Sequence, residues 1–186
     1  MANSKRSRHV ALMLMAPAGS FFISGCSEAP ENALVFETIE QCQSFGGDED
    51  ECRIAHDEAV QNHNETAPKY LTEQECEADF GDEKCEARSN GWVTPLMAGF
   101  LMGSLIDIDG KKKKKTLMGR PLYKSRDDQT TFRSSGNKPI ARNVGQTQVF
   151  KSSLASRSNN IVSRGGFGMQ AQKRAESSSG GGSYGG

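Results

Sequence analysis

Five cysteines are the side chains best suited to chemistry in this chain of 186 residues. Cys26 stands alone near the N-terminus, and the other four form an even set at Cys42, Cys52, Cys76 and Cys85. The spacings within that set are C-x9-C and C-x8-C, whereas structural zinc sites use C-x2-4-C. Because an even number of cysteines in an exported chain normally forms disulfides, we predict two disulfides and no metal site.

The first 25 residues have the composition of an export signal. Lys5, Arg6 and Arg8 form a cationic start, and an apolar run follows from residue 10 to residue 23. That run is too short to span a bilayer comfortably. We therefore predict a signal peptide at residues 1–25, with an uncleaved N-terminal anchor as the alternative.

Cys26 is the predicted site of cleavage and lipidation. The tetrapeptide 23–26, Ile-Ser-Gly-Cys, looks like a bacterial lipobox, in which the cysteine thiol is acylated and becomes residue one. Ser27 follows where an Asp would retain a lipoprotein in the inner membrane, so the pattern indicates the outer membrane. We expect a protein anchored there by palmitate-type acyl chains and facing the periplasm, with residues 26–33 as a linker. An ordinary cleaved signal is the alternative.

The four remaining cysteines lie in two similar segments, at residues 36–52 and 70–85, offset by 34 residues. Thr38 and Thr72 begin capping boxes, which place each first cysteine about one turn into a short helix. We favour the pairs Cys42–Cys52 and Cys76–Cys85, because each would staple a helix–turn–helix within one copy. The two crossed pairings remain open.

A longer helix is predicted between about residue 48 and residue 65, ending before Pro68. By the helical period, Cys52, Ala55, Ala59 and His63 share one face of it. His56 and His63 lie seven residues apart on one face of this helix, but no third metal ligand is evident, so we interpret both as surface or half-buried helix residues.

The apolar segment at residues 92–106 has two interpretations. Its uninterrupted part is too short for a membrane span, so it could form a core helix over the two stapled units. Alternatively, it could be an exposed patch for a partner or the bilayer surface. Candidate contact residues there and in two later islands are Trp92, Leu96, Met97, Phe100, Leu101, Tyr123 and Phe167.

The charges of the chain are split between its two halves. Residues 27–106 contain 18 acidic and four basic side chains, whereas residues 107–186 contain five acidic and 16 basic ones. The second half also has few apolar residues and ends in glycine and serine, which predicts a basic, low-complexity and largely disordered tail. Export argues against nucleic acid as its target, so anionic lipid, lipopolysaccharide or the acidic half of the chain itself are the candidates, beside a tail with no partner.

These patterns predict a mainly α fold. Residues 34–106 would form an acidic, disulfide-stapled helical domain with a duplicated helix–turn–helix unit and an apolar helix, followed by the disordered tail at 107–186. Walker-loop and HExxH motifs are missing from the sequence. We therefore expect neither an enzyme nor a bound cofactor.

Six short motifs occur in order along the chain. They are the lipobox at Cys26, Thr66-Ala67-Pro68-Lys69-Tyr70, Cys76-x-x-x-Phe80-Gly81-x-x-x-Cys85, the run Pro95–Phe100, Pro121-Leu122-Tyr123, and Arg164-Gly165-Gly166-Phe167-Gly168. This set resembles the YgiB-type family of Gram-negative envelope proteins, which has no established biochemical activity. The resemblance implies a neighbouring ATP-grasp enzyme similar to glutathionylspermidine synthase, but it supplies no catalytic residue.

The sequence therefore predicts a non-enzymatic envelope lipoprotein that binds or scaffolds another envelope protein. The alternative is an accessory of the ATP-grasp enzyme that binds a small ligand or a polyamine, motivated by the acidic charge of residues 27–106.

Overall fold

The computed structural model describes residues 28–103, 119–156 and 161–179. The predicted signal peptide and Cys26 lie outside the described residues, as do the five consecutive lysines at 111–115. The strands are β1 (Glu31–Phe36), β2 (Cys85–Ala87), β3 (Val93–Pro95), β4 (Gly99–Gly103), β5 (Arg120–Ser125), β6 (Asp128–Arg133), β7 (Pro139–Ala141) and β8 (Gly145–Val149). The helices are α1 (Ile39–Ser44), α2 (Glu49–Thr66), α3 (Glu73–Phe80) and α4 (Met169–Ser179), with a 3-10 helix at Lys151–Leu154.

Six of these strands form one antiparallel sheet in the order β7-β6-β5-β4-β1-β8. The first and last strands of that order come close to each other, since Thr147 Oγ1 on β8 donates to the carbonyl oxygen of Ile140 on β7 at 3.4 Å. The sheet is therefore a nearly closed, barrel-like one. Strands β2 and β3 form a separate two-stranded sheet.

Both faces of the central strands are buried. On β1, Ala33 and Val35 point into the barrel, while Phe36 points outward to the helices. On β4, Leu101 points inward and Phe100 outward. Successive side chains of a strand alternate between faces, so an apolar run is what a strand buried on both sides requires.

Helix α2 covers the outer face of the sheet with a stripe of small residues. The helix begins after the N-cap Asp48, whose side chain accepts from the amides of Asp50 and Glu51. Cys52, Ala55, Ala59 and His63 are its buried residues, and they share one face as the helical period predicted. The interpretation of His63 as a surface or half-buried residue is wrong, because its ring lies between the helix and the sheet. Helix and sheet approach so closely that a Cβ on Gly119 would overlap the carbonyl oxygen of Ala55.

The prediction of a mainly α fold is wrong, because the molecule is a mixed α/β structure built on the six-stranded sheet. The second copy of the cysteine motif does not form a helix–turn–helix. After α3 the chain turns through Glu83, which has a positive φ of 60°, and enters β2 at Cys85. Only the first copy continues into a second helix, α2.

The apolar segment and the tail were also misassigned. Within residues 92–106 the described part forms β3 and β4, so the predicted core helix is wrong. Residues 107–186 were expected to be largely disordered, yet they supply β5 to β8, the 3-10 helix and α4. Their few apolar residues suffice because the strands pair with β1 and β4 and share the core of the first half.

Candidate functional site

A buried polar cluster forms where α2, β5 and the small sheet meet. His63 on α2 is 4% exposed, and its Nδ1 lies 2.9 Å from the hydroxyl oxygen of Tyr123 on β5. The other ring nitrogen, Nε2, lies 2.5 Å from Nη2 of Arg88, just beyond β2. Histidine and tyrosine are side chains that enzymes use for proton transfer, so this cluster is the first candidate for chemistry.

Arg88 determines which ring nitrogen of His63 carries the proton. A guanidinium can only donate, so Nε2 of His63 accepts from Arg88, and the ring proton sits on Nδ1 and is donated to Tyr123. Burial, together with the positive charge of Arg88, lowers the pKa of His63 to about 4. Burial also raises the pKa of Tyr123 well above its ordinary value. Both groups are therefore neutral at neutral pH.

Arg88 is itself held by the two-stranded sheet. Its Nε donates to Thr94 Oγ1 at 3.0 Å, and its Nη2 lies 2.7 Å from Glu86 Oε1. Glu86 and Thr94 are a register pair of β2 and β3. The cluster thus ties α2 to the two-stranded sheet through groups that hydrogen-bond to one another around the buried ring of His63.

The two disulfides have the favoured pairing, with one bond inside each copy of the cysteine motif. Cys42–Cys52 joins α1 to α2, and Cys76–Cys85 joins α3 to β2. The first pair is buried against the sheet, where Cys42 Sγ lies 3.6 Å from Met102 Sδ. Disulfides persist in oxidising compartments, so this pair of bonds indicates an extracytoplasmic location for the folded part.

The predicted contact residues separate into two groups. Phe100, Leu101, Tyr123 and Phe167 are buried in the core, so their assignment to a contact surface is wrong. They are apolar because they face other parts of this chain. Leu96 is 44% exposed, and Trp92 and Met97 are half-buried.

Asp79 on α3 is a buried carboxylate whose role in the fold the sequence did not predict. This buried carboxylate accepts from the hydroxyl of Tyr70 at 2.9 Å, from the amide of Gly165 at 2.7 Å and from the amide of Phe167 at 3.0 Å. Asp79 thereby holds the C-terminal segment at residues 165–167, which is distant in sequence. Nothing in the sequence distinguished Asp79 from the exposed acids around it.

The C-terminal segment is clamped at two more points. Asn137 makes a reciprocal pair of hydrogen bonds with Gly168, at 2.9 and 3.0 Å. Asp127 accepts from the amides of Met169 and Gln170 at the start of α4. Partial burial alone would raise the pKa of Asp127, but hydrogen bonds from Ser125 and from these amides lower it. The Arg-Gly-Gly-Phe-Gly motif is therefore an internal docking segment.

A groove lies beside α3, with a cavity volume of about 530 Å³. Carboxylates of Glu77 and Asp82 and the guanidinium of Arg126 line it, together with Arg164. Asp82 pairs with Arg126 at 3.0 Å, so the acidic charge of the groove is partly offset.

Metal-binding clusters and membrane-spanning helices are both missing from residues 28–103, 119–156 and 161–179. No group of three or more histidine, cysteine, aspartate or glutamate side chains there is arranged to hold a metal ion. Nor does this part of the chain contain a helix with the length and apolar character of a membrane span.

Comparison with known proteins gives a family and no biochemical role. Residues 30–178 match the family described as "Protein of unknown function (DUF1190)". The chain is 30% identical to a UPF0441 protein of Klebsiella pneumoniae over 195 residues, which covers 91% of this chain and 84% of the relative. It is 27% identical to a UPF0441 protein of Serratia proteamaculans, covering 92% of this chain and 86% of that relative. No solved structure matches. The chain belongs to the DUF1190/UPF0441 family.

Proposed function

We propose that this protein is a non-enzymatic lipoprotein of the cell envelope, anchored through Cys26, that acts as a binding or scaffold component. The observation that carries the proposal is the pair of disulfides, which require an oxidising compartment to persist. The lipobox and the cationic, apolar start of the sequence supply the route to that compartment and the anchor.

The state of the polar side chains supports binding over catalysis. His63, Tyr123 and Arg88 are engaged with one another, and Asp79 is occupied by the C-terminal segment. A general acid or base must reach the proton that it transfers. Groups consumed by internal hydrogen bonds hold the fold together, which suits a protein whose exposed surface carries the function.

The anchor is tested by cell fractionation of the full chain and two variants. Cys26→Ala should move the protein from the membrane fraction to the soluble fraction, because no acyl chain can be attached. Ser27→Asp should keep it on membranes but shift it from the outer to the inner membrane. Retention of Cys26→Ala in the membrane fraction would contradict the proposal.

The binding role is tested by chemical cross-linking in the envelope, with Cys26→Ala as the matched control. A scaffold component should give a reproducible cross-linked partner with the anchored protein and much less of it with the released one. Identical background patterns from both proteins would argue against a scaffold.

A second candidate is binding of a polyamine at the groove beside α3, supported by the carboxylates of Glu77 and Asp82. Calorimetry with spermidine at moderate salt tests it. The double variant Glu77→Gln and Asp82→Asn should abolish the heat of binding if the groove is the site. Weak heat that disappears with salt in both proteins would exclude it.

A further inference from the structure

The described chain begins almost at the proposed lipid anchor. Glu28 is two residues beyond Cys26, and two residues span at most about 7 Å. Glu28 is fixed to the fold, because its Oε1 accepts from the backbone amide of Ser152 at 3.0 Å. Hydrogen bonds from Ser152 also lower the pKa of Glu28, so its carboxylate is ionised at neutral pH and keeps this contact. Acyl chains on Cys26 would therefore hold the 3-10 helix next to the lipid headgroups.

The strand register shows which other groups lie at this end of the barrel. Glu31, the first residue of β1, pairs with Val149, the last residue of β8, and Phe150 and the 3-10 helix come directly after it. The turn between β6 and β7 is also here, since a Cβ on Gly136 would overlap the carbonyl oxygen of Ala155. We call this the anchor end; its outward side chains are Glu28, Lys138, Phe150 and Lys151.

The barrel has an exposed phenylalanine at each end. Phe150 at the anchor end is 46% exposed. At the opposite end, where β8 begins, Phe45 is 54% exposed and lies beside Gly145. An exposed aromatic ring gains from burial in the headgroup region, so the end that faces the bilayer should bury its phenylalanine.

Two lysines lie at the anchor end, beside the carboxylates of Glu28 and Glu31. Lys138 at the anchor end is exposed and has no ion pair with a described residue, and Lys151 is 60% exposed while pairing with Glu31. Anionic lipid attracts lysine, so Lys138 favours contact between the anchor end and the lipid surface.

We infer that the anchor end rests on the phospholipid surface and that Phe150 inserts into its headgroup region. The inference rests on the proposed lipidation of Cys26 and adds the orientation of the folded part. The groove beside α3, which Arg126 of the β5–β6 turn lines, is then left facing the periplasm, where a partner can reach it.

The test compares two tryptophan probes in the mature, lipidated full chain. Phe150→Trp and Phe45→Trp are each made together with Trp92→Phe, so that the introduced indole is the sole one. Both proteins are reconstituted into phosphatidylethanolamine and phosphatidylglycerol vesicles whose acyl chains carry bromine, a contact quencher. The probe at 150 should be quenched at least about twofold more than the probe at 45, because interfacial side chains lie about 5–10 Å into the boundary region.

The matched control is each probe in the unlipidated Cys26→Ala chain, where aqueous iodide should quench both indoles similarly. On vesicles, the lipidated Phe150→Trp protein should become protected from iodide while Phe45→Trp stays accessible. Equal bromine quenching at the two positions, or stronger quenching at 45, would overturn the inference.

Mass spectrometry of Cys26 separates a failure of the anchor from a failure of the orientation. If Cys26 carries no acyl group, the proposed anchoring fails and the inference fails with it. If the acyl group is present and the probe at 150 is unquenched, the anchoring stands and the orientation alone is wrong.

Discussion

The two copies of the cysteine motif start alike and end differently. In each, a threonine caps a short helix by accepting from the amide three residues on, Gln41 after Thr38 and Glu75 after Thr72. The first copy then turns at Gly46 and Gly47 and begins a long helix at the N-cap Asp48. The second copy turns through Glu83 and becomes a strand. Similar sequence thus fixes the start of each unit, and the residues after the glycine decide whether a helix or a strand comes next.

The difference is largest at one aligned position. Ser44 in the first copy precedes Phe45, and Asp79 in the second precedes Phe80. Ser44 is exposed and its hydroxyl donates to the carbonyl oxygen of Glu40 in its own helix. Asp79 is buried and binds the C-terminal segment. The first copy is therefore a local support for the sheet, and the second is a docking point for a distant segment.

Replacing Asp79 should give the largest difference in stability between the two copies. Asp79→Ala leaves the hydroxyl of Tyr70 and the amides of Gly165 and Phe167 without their acceptor. We expect a loss of about 3–5 kcal/mol in the free energy of unfolding, since each buried unsatisfied group costs about 1–3 kcal/mol. Urea denaturation followed by circular dichroism measures it. The matched control Ser44→Ala should stay within about 0.5 kcal/mol of the wild type. Similar midpoints for the two variants would show that the docking is energetically unimportant.

His63 links the long helix of the first copy to the small sheet of the second, and its titration tests that link. The pKa of His63 is lowered from 6.5 to about 4, so the unfolded chain binds a proton between these pH values and the folded chain does not. Stability should therefore fall as the pH decreases from about 6.5 to about 4, by at most about 3 kcal/mol. Above about pH 6.5 this histidine should have no effect on the pH dependence.

The measurement is the free energy of unfolding at several pH values for the wild type and His63→Gln. The difference in slope between the two proteins isolates the histidine from the carboxylates that titrate in the same range. His56→Gln, on the same helix, controls for the loss of an imidazole. If the free energies of unfolding of the wild type and His63→Gln had the same pH dependence, the folded state would not disfavour protonation of His63.

The two disulfides should contribute similar amounts to the free energy of unfolding, although one is fully buried and the other is partly exposed. Their sequence separations are 10 and 9 residues, so chain entropy gives each about 2.5–3 kcal/mol. Cys42 and Cys52 are both fully buried, whereas Cys85 is half-buried, so Cys42→Ala with Cys52→Ala should cost about 1 kcal/mol more than Cys76→Ala with Cys85→Ala. Denaturation with and without reductant measures both. A larger loss in the free energy of unfolding for the second pair would show that the disulfide between α3 and β2 stabilises the protein more.

Short-range features were predictable and the sheet was not. Caps, disulfides and the buried stripe of α2 depend on residues within about one or two turns of each other, so the sequence shows them directly. The segment Gly99–Gly103 has no alternation because both of its faces are buried, and such a run cannot be told from a buried helix. Strand β8 pairs with β1 across more than 100 residues, and Pro121 lies in a central strand, where proline is rare.

Removing either N-cap should give the smallest loss in the free energy of unfolding, and the loss should be nearly the same in the two copies. The hydroxyl of Thr38 accepts from Gln41 at 3.2 Å and that of Thr72 from Glu75 at 3.3 Å, and both bonds are exposed. Thr38→Ala and Thr72→Ala should therefore each lower the free energy of unfolding by about 1 kcal/mol. Replacement by serine should restore most of the loss, because serine is an equally good cap. If one alanine variant lost more than twice as much free energy of unfolding as the other, the two caps would contribute unequally to stability although their hydrogen bonds have the same geometry.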